Sequence, residues 1–197
     1  MQPKWEMVES RPHEEIEALA KTANVPYTIA RILMNRGIDT AEAVRKFFEP
    51  SPTDLYDPYL MADMELAVDR IIEALHRRER VAVYGDYDVD GITSVSMLYL
   101  FLKDLGGDVI SYIPDRQAEG YGLSCAGIDA ILEQGAQLIV TVDCGITSVD
   151  ESKYAVSKGL ELIITDHHEP GEAIPNASAV LDPKRSDCRY PYKELAG

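Results

Sequence analysis

From Arg80 onward the chain alternates short β-rich runs with helical stretches, and this alternation constrains the fold more than any other feature. Chains made of repeated βα units form parallel sheets whose faces are covered by helices. We therefore predict an α/β domain with a mainly parallel sheet of about five strands flanked by helices. The predicted strands are 81–84, 109–113, 138–142, 162–165 and 179–181.

Helical patterns lie between the predicted strands and before them. Helices are expected at 63–76, 93–105, 125–134 and 148–158. Helix 93–105 is apolar on almost every side, which predicts that it is deeply buried. Before residue 58 the pattern is helical and interrupted by prolines. We therefore expect two parts, a small helical N-terminal segment at 1–58 and the α/β domain at 59–197.

Composition excludes several classes of protein. With 197 residues and 46% hydrophobic residues, the chain can form one well-buried domain and an appendage. Its longest dense apolar stretch, 95–102, is too short to span a bilayer, and the N-terminus does not resemble a signal peptide. Its three cysteines are far apart, which favours reduced thiols over disulfides or a zinc ribbon. We expect a soluble, cytoplasmic protein with no membrane association.

The formal net charge of −15 would repel nucleic acid at long range. A polynucleotide substrate would therefore need bound cations or local basic surface to offset this repulsion. Basic residues are concentrated at 77–80 and 184–193. Both places are also consistent with ordinary solvated surface.

An aspartate follows each predicted strand within a few residues. These are Asp86, Asp115, Asp143, Asp166 and Asp182. Ligands of open α/β sheets bind outside the carboxyl ends of the strands, so these side chains are expected to meet at one edge. Aspartate also suits turns and helix N-caps, and that structural role would suffice for Asp115 or Asp182 taken alone.

The first acidic motif is Asp86-x-Asp88-x-Asp90-Gly91, which resembles the start of an EF-hand calcium loop. The twelfth position of such a loop requires a glutamate, whereas this chain has Met97 there. The preceding run is also a predicted strand rather than a helix. A strand-loop-helix turn that offers carboxylates to a metal ion is the better interpretation.

The second and third motifs are Asp143-Cys144-Gly145 and Asp166-His167-His168. Imidazole beside carboxylate favours a cation such as Mn²⁺ or Zn²⁺ over calcium, although the triplet taken alone could be an ordinary polar loop. Of two adjacent histidines, one can bind metal while the other faces a substrate phosphate as a donor or proton source. Asp143 is placed to bridge two cations if the centre is dinuclear.

Other phosphate-binding signals are weak. Neither a Gly-x-x-x-x-Gly-Lys-Ser/Thr loop nor a Gly-x-Gly-x-x-Gly turn after a strand occurs, so nucleotide-cofactor functions have little support. The turn 119–122 follows Arg116 and could let backbone approach a phosphate, and it could equally be a plain surface turn.

The chain resembles the DHH phosphoesterase superfamily, named for the triplet found here at Asp166, His167 and His168. Segments 83–94, 113–122 and 141–145 are similar to those of the RecJ-type single-strand-specific exonucleases within it. The resemblance implies 5′ to 3′ hydrolysis of single-stranded DNA in recombination and repair, with Mn²⁺ or Mg²⁺ and two ions in the complete enzyme. It also implies single-strand-binding protein and helicase as partners.

The resemblance also implies roles for individual residues. The implied metal ligands are Asp88, Asp90, Asp143 and His167. The implied catalytic residues are His168, Asp143 and Asp86. The implied substrate-binding residues are Arg116 and His168. Tyr84 stands where many superfamily members have a histidine ligand.

The resemblance further predicts that a fourth metal-ligand motif and a second, substrate-gripping domain would follow residue 197, so that 59–197 is a DHH domain truncated at its C-terminal end. Two other functions stay open. One is a related phosphoesterase acting on short oligonucleotides, cyclic dinucleotides or pyrophosphate. The other is a non-catalytic scaffold, against which the clustered carboxylates argue because they would repel one another without a ligand.

Overall fold

The computed structural model describes residues 4, 8 and 11–196, and the chain divides into two compact units between Leu55 and Tyr56. The first unit contains helices α1 (His13–Thr22), α2 (Tyr27–Asn35) and α3 (Ala41–Phe48). Pro12 and Pro26 immediately precede α1 and α2, where a fixed φ suits entry into a helix. These helices bury a small cluster formed by Ile16, Leu19, Ala30, Leu33, Met34 and Val44.

The second unit contains all the strands of the described chain. Its strands are β1 (Arg80–Gly85), β2 (Asp108–Tyr112), β3 (Leu138–Val142), β4 (Glu161–Thr165) and β5 (Ala179–Leu181). Its α-helices are α4 (Met64–Arg77), α5 (Val89–Asp104), α6 (Cys125–Glu133) and α7 (Val149–Ser157). The strands form one parallel sheet in the order β2-β1-β3-β4-β5. The predicted fold class is confirmed.

The sheet is apolar on both faces because helices cover both. Val81 and Val83 of β1 pack in one cluster with residues of α4 and α5. Ala82 and Tyr84 of the same strand pack in the other cluster with residues of α6 and α7. Successive side chains of a strand point to opposite faces, which explains this division.

The strand order also determines where a ligand can bind. From β1 the chain crosses to β2 on one side, and from β2 it crosses back past β1 to β3. The strand order therefore reverses between β1 and β3. The crevice beyond the carboxyl ends of these two strands is the usual ligand position in such sheets.

The prediction that the helix after β1 is deeply buried is wrong. The side of α5 that faces the sheet buries Val95 and Leu102, whereas Met97, Leu100 and Phe101 are 70%, 61% and 59% exposed. The physical reason is that a helix packed on a sheet buries only the side that faces it. The helix also begins earlier than predicted, at Val89. No helix among the described residues is long and apolar enough to cross a membrane.

The free edge of β5 is closed by two side chains. The carboxylate of Asp63 accepts a hydrogen bond from the Val180 N–H at 3.1 Å, and the Arg185 guanidinium donates to the Val180 carbonyl oxygen. Asp63 and Arg185 also form an ion pair at 2.6 Å. Together they satisfy the backbone groups that a sixth strand would otherwise pair, which protects the edge from adventitious strand pairing.

Candidate metal centre at the edge of the sheet

The turn after β1 places the first acidic motif in the crevice. Asp86 is buried, and within the described residues its Oδ1 has no hydrogen-bond partner. Asp88 caps α5 by accepting a hydrogen bond from the Gly91 N–H at 3.0 Å. A Cβ atom on Gly91 would lie 2.6 Å from the backbone nitrogen of Asp86 and closer still to its carbonyl oxygen. Glycine at this position therefore lets α5 start directly against the end of β1.

The turn after β3 presents Asp143 in an unusual backbone conformation. Asp143 has a φ of 59°, in the left-handed region that few residues other than glycine and asparagine or aspartate adopt. Its carboxylate is buried, and Oδ1 lies 3.0 Å from Nε2 of His167. Burial raises the pKa of Asp143, and the nearby charge of Asp88 raises that pKa further. A cation at this place would relieve both penalties.

Asp166, the first residue of the triplet, organises the other two. Its buried carboxylate accepts hydrogen bonds from the backbone N–H groups of Ile146, His167 and His168. It also accepts one from Nδ1 of His168 at 2.7 Å. Asp166 therefore fixes the loop and the orientation of His168. Sequence reasoning assigned no role to Asp166 beyond its place in the motif, and only its position before two histidines could have suggested one.

Three predicted site residues come together at this edge. Asp143, His167 and His168 each offer a ligand atom, and these atoms all lie within 4.8 Å of one another. A carboxylate with two imidazoles suits Mn²⁺ or another transition-type cation. The unpartnered buried oxygen of Asp86 is a further acceptor in the same crevice. The residues present therefore fit a metal ion.

Asp88 and Asp90 do not belong to this group of three. Both lie close enough to Asp143 for their charges to raise its pKa. One oxygen of Asp88 already accepts the hydrogen bond of the helix cap, which leaves its other oxygen for a cation. The structure thus places Asp88 and Asp90 of the first acidic motif beside the group formed by Asp143, His167 and His168.

Arg116 lies on the exposed loop between β2 and α6, with its guanidinium 5.2 Å from the centre of the Tyr87 ring. Its charge lowers the pKa of Asp86, although burial of Asp86 is the larger effect and raises that pKa overall. This predicted substrate-binding residue therefore lies beside the first motif, with its side chain accessible to solvent.

Tyr84, at the position where many superfamily members have histidine, serves a different purpose here. Its buried hydroxyl donates to the Gly122 carbonyl oxygen at 2.9 Å and accepts from the Ser124 N–H at 3.2 Å. The side chain points to the face covered by α6 and α7 and stacks on Tyr112. Tyr84 therefore anchors the loop after β2.

Asp182 is a residue of the site region that sequence reasoning treated as structural. It is fully buried after β5, and its Oδ1 accepts from the Lys184 N–H at 2.7 Å. Among the described residues, its Oδ2 has no hydrogen-bond partner. Burial raises the pKa of Asp182 to about 6. The position of Asp182 after a strand end was the one sequence feature that suggested a place near the site. Its burial could not be predicted from the sequence.

We expect the Asp182→Asn variant to be more stable than the wild type above pH 7, by about 3 kcal/mol, because burial raises the pKa of Asp182 to about 6 and each unit of pKa difference corresponds to about 1.4 kcal/mol. The pKa of Asp182 is higher in the folded state than in the unfolded state. The wild type is therefore at its most stable below about pH 4, where Asp182 is protonated in both states, and it loses this stability as the pH rises through about 6. The advantage of the variant should therefore vanish near pH 4.

Denaturant unfolding at several pH values, with a chelator present, measures this difference. The exposed Asp115, whose side chain also accepts backbone hydrogen bonds, provides the control variant Asp115→Asn. A difference between Asp182→Asn and wild type that stays constant from pH 4 to pH 8 would contradict the assigned pKa.

Comparisons with known proteins show what this chain is similar to. The model of the DHH family, N-terminal domain, matches residues 80–196. The single-stranded-DNA-specific exonuclease RecJ of Bacillus subtilis strain 168 is 44% identical over 195 residues, which are 98% of this chain and 25% of that relative. The chain thus spans about a quarter of the length of this relative.

Two solved structures are also similar. RecJ from Thermus thermophilus in complex with Mn²⁺ is 28% identical, with a TM-score of 0.67 over 96% of this chain and 26% of that chain. An exonuclease RecJ bound to manganese is 41% identical, with a TM-score of 0.57 over 62% of this chain and 31% of that chain.

Proposed function

Because this chain belongs to the DHH family, we propose that its sheet edge is a phosphodiesterase centre and that the protein is a 5′ to 3′ exonuclease acting on single-stranded DNA in recombination and repair. The observation that carries this proposal is the convergence of Asp143, His167 and His168 beyond the ends of β3 and β4. The similarity to RecJ exonucleases supports the choice of single-stranded DNA as substrate.

We assign Asp143 and His167 as metal ligands, with Asp88 and Asp90 completing the set. Mn²⁺ or Mg²⁺, as two ions in the complete enzyme, fits these donors. Such ions lower the pKa of a bound water and neutralise charge on the phosphate oxygens. Two of the metal-ligand atoms, Nε2 of His167 and Oδ1 of Asp143, are hydrogen-bonded to each other in this structure. A cation bound by both residues would replace the proton that they share.

His168 faces the substrate in this proposal. Its side chain is 45% exposed, and Asp166 accepts the hydrogen bond from its Nδ1. A carboxylate beyond the imidazole fixes the ring and makes it a better partner for a phosphate oxygen or for a proton in transfer. We assign Asp86 as an additional catalytic carboxylate and Arg116 as a substrate-binding cation.

The charge distribution supports strong dependence on cations. Many of the basic residues at 77–80 and 184–193 are engaged by acidic side chains. The pairs are Arg77 with Glu73, Arg80 with Asp108, Lys184 with Glu169, and Arg185 with Asp63 and Asp187. With a net charge of −15 as well, metal ions at the edge of the sheet are the best available means of attracting a polyanion.

The wider context belongs to the same proposal. We assign residues 59–197 to the DHH domain and 1–58 to a separate helical segment. A cytoplasmic location, with single-strand-binding protein and a helicase as partners, fits an enzyme of DNA repair.

The test is a comparison of substrates in Mn²⁺, using a long single strand labelled at either end, its duplex, short oligonucleotides, a cyclic dinucleotide and pyrophosphate. We expect stepwise release of mononucleotides from the 5′ end of the long single strand. Preference for the short substrates would replace this proposal with the related phosphoesterase. Hydrolysis of none of them, together with absence of Mn²⁺ binding, would favour a scaffold.

A further inference from the structure

The Tyr121 side chain reaches into the metal centre from the loop between β2 and α6. Its hydroxyl donates a hydrogen bond to the Asp143 carbonyl oxygen at 3.3 Å. The same oxygen lies 3.2 Å from both ring nitrogens of His168, and the two rings meet edge to face with centroids 5.7 Å apart. Sequence reasoning assigned the Tyr121 side chain no role beyond its place in the turn 119–122.

The loop that carries Tyr121 is held in place by buried groups. Gly120 and Gly122 flank the tyrosine with φ values of 84° and 83°, which only glycine adopts readily. The Tyr84 hydroxyl bonds to Gly122 on one side and to Ser124 on the other. The loop conformation is therefore fixed from the core of the sheet.

Glu119 closes the other end of the loop. Its carboxylate accepts hydrogen bonds from the Tyr112 hydroxyl at 3.0 Å, the Ser124 hydroxyl at 2.5 Å and the Asp115 N–H at 2.9 Å. An ordinary surface turn is not held by so many internal hydrogen bonds. The turn 119–122 is thus held rigidly, and it presents the Tyr121 side chain toward the metal centre.

His168 needs such a support because its side chain is half exposed. Asp166 accepts one hydrogen bond from Nδ1 of the ring, and the His167 ring packs against it at a tilt with centroids 4.5 Å apart, so both of these contacts come from the loop of His168 itself. Tyr121 supplies a contact from a different loop. Two contacts from separate chain segments restrict the imidazole to one orientation.

We propose that Tyr121 is a positioning residue that holds the His168 imidazole toward the substrate phosphate by clamping it between the Tyr121 hydroxyl and the Asp166 carboxylate. This role rests on the proposed phosphodiesterase function. Its energetic effect operates through His168, so Tyr121 and His168 should behave as one unit in catalysis. Loss of the hydroxyl should leave metal binding and substrate binding largely intact.

The kinetic test is a double-mutant cycle of Tyr121→Phe and His168→Ala, assayed in Mn²⁺ on single-stranded DNA. We expect Tyr121→Phe alone to lower kcat by about 10-fold to 100-fold, the usual effect of losing the orientation of a reacting group, with KM changed by less than about twofold. In the His168→Ala background the same substitution should change kcat by less than about twofold. Tyr192→Phe is the matched control, since Tyr192 and Tyr121 are both 51% exposed.

A second measurement tests the contact without catalysis. The chain has four histidines, so the imidazole ¹⁵N signals of His168 can be assigned in the metal-free protein. Tyr121→Phe should shift or broaden the His168 signals and leave those of His13 and His76 unchanged, whereas Tyr192→Phe should alter none of them.

Equal kinetic losses from Tyr121→Phe in both backgrounds, no loss in either, or unchanged His168 signals would each overturn the positioning role. A wild type that hydrolyses none of the substrates would instead overturn the proposed function. In that case the imidazole signals still decide whether Tyr121 holds His168.

Discussion

The Asp143→Asn variant is expected to lose hydrolysis by about a thousandfold or more while keeping its fold. The substitution removes the buried charge that would hold a cation, and metal ions contribute several kcal/mol to such reactions. A loss of about 4 kcal/mol of that stabilisation is a thousandfold in rate. Asparagine is the right replacement because it tolerates the left-handed conformation that Asp143 adopts, with a φ of 59°.

The rate is measured in Mn²⁺ on single-stranded DNA, with thermal unfolding in chelator as the check on the fold. Asp150→Asn serves as control, because Asp150 is an exposed aspartate on α7, and it should retain wild-type rates. Near-wild-type hydrolysis by Asp143→Asn would contradict the assignment of Asp143 as a metal ligand.

The Gly91→Ala variant is expected to lose about 3 kcal/mol of unfolding free energy, at the upper end of the cost of overpacking. The added Cβ would lie 2.6 Å from the backbone nitrogen of Asp86, and a backbone atom cannot move aside cheaply. The start of α5 would have to shift away from β1 and carry Asp88 and Asp90 with it. Affinity for Mn²⁺ should therefore fall together with stability.

Denaturant unfolding and Mn²⁺ titration measure the two effects of Gly91→Ala. Gly171→Ala is the matched control, since the nearest atom to its Cβ would be 3.9 Å away, and it should stay within about 0.5 kcal/mol of wild type. Wild-type stability of Gly91→Ala would contradict the close approach of α5 to β1.

The positions of the strands and of the acidic residues were predictable from the sequence because they depend on local patterns. Apolar β-rich runs define strands, and parallel strands bring their carboxyl ends to one edge. These patterns suffice to predict that Asp143 and His167 lie at the same edge of the sheet. The same reasoning predicts that Asp86 lies at this edge, whereas the crevice between β1 and β3 follows from the strand order that the structure shows.

Other features depend on what packs around a residue, which periodicity does not report. The apolar sequence of α5 predicted burial, yet only its sheet side is covered, because the pattern does not say how many elements surround a helix. The hydroxyl contacts of Tyr84 and Tyr121 join segments about 40 and 47 residues apart in the chain, a separation that no local motif encodes. The role of Asp166 likewise depends on which backbone N–H groups face it.

The measurement that tests the central claim most directly is a calorimetric titration of the protein with Mn²⁺, compared with the double variant Asp143→Asn, His167→Gln. We expect saturable binding by the wild type that is lost in the double variant, while both proteins unfold cooperatively in chelator. Absence of saturable binding by the wild type, or equal binding by the double variant, would contradict a metal centre at this edge of the sheet.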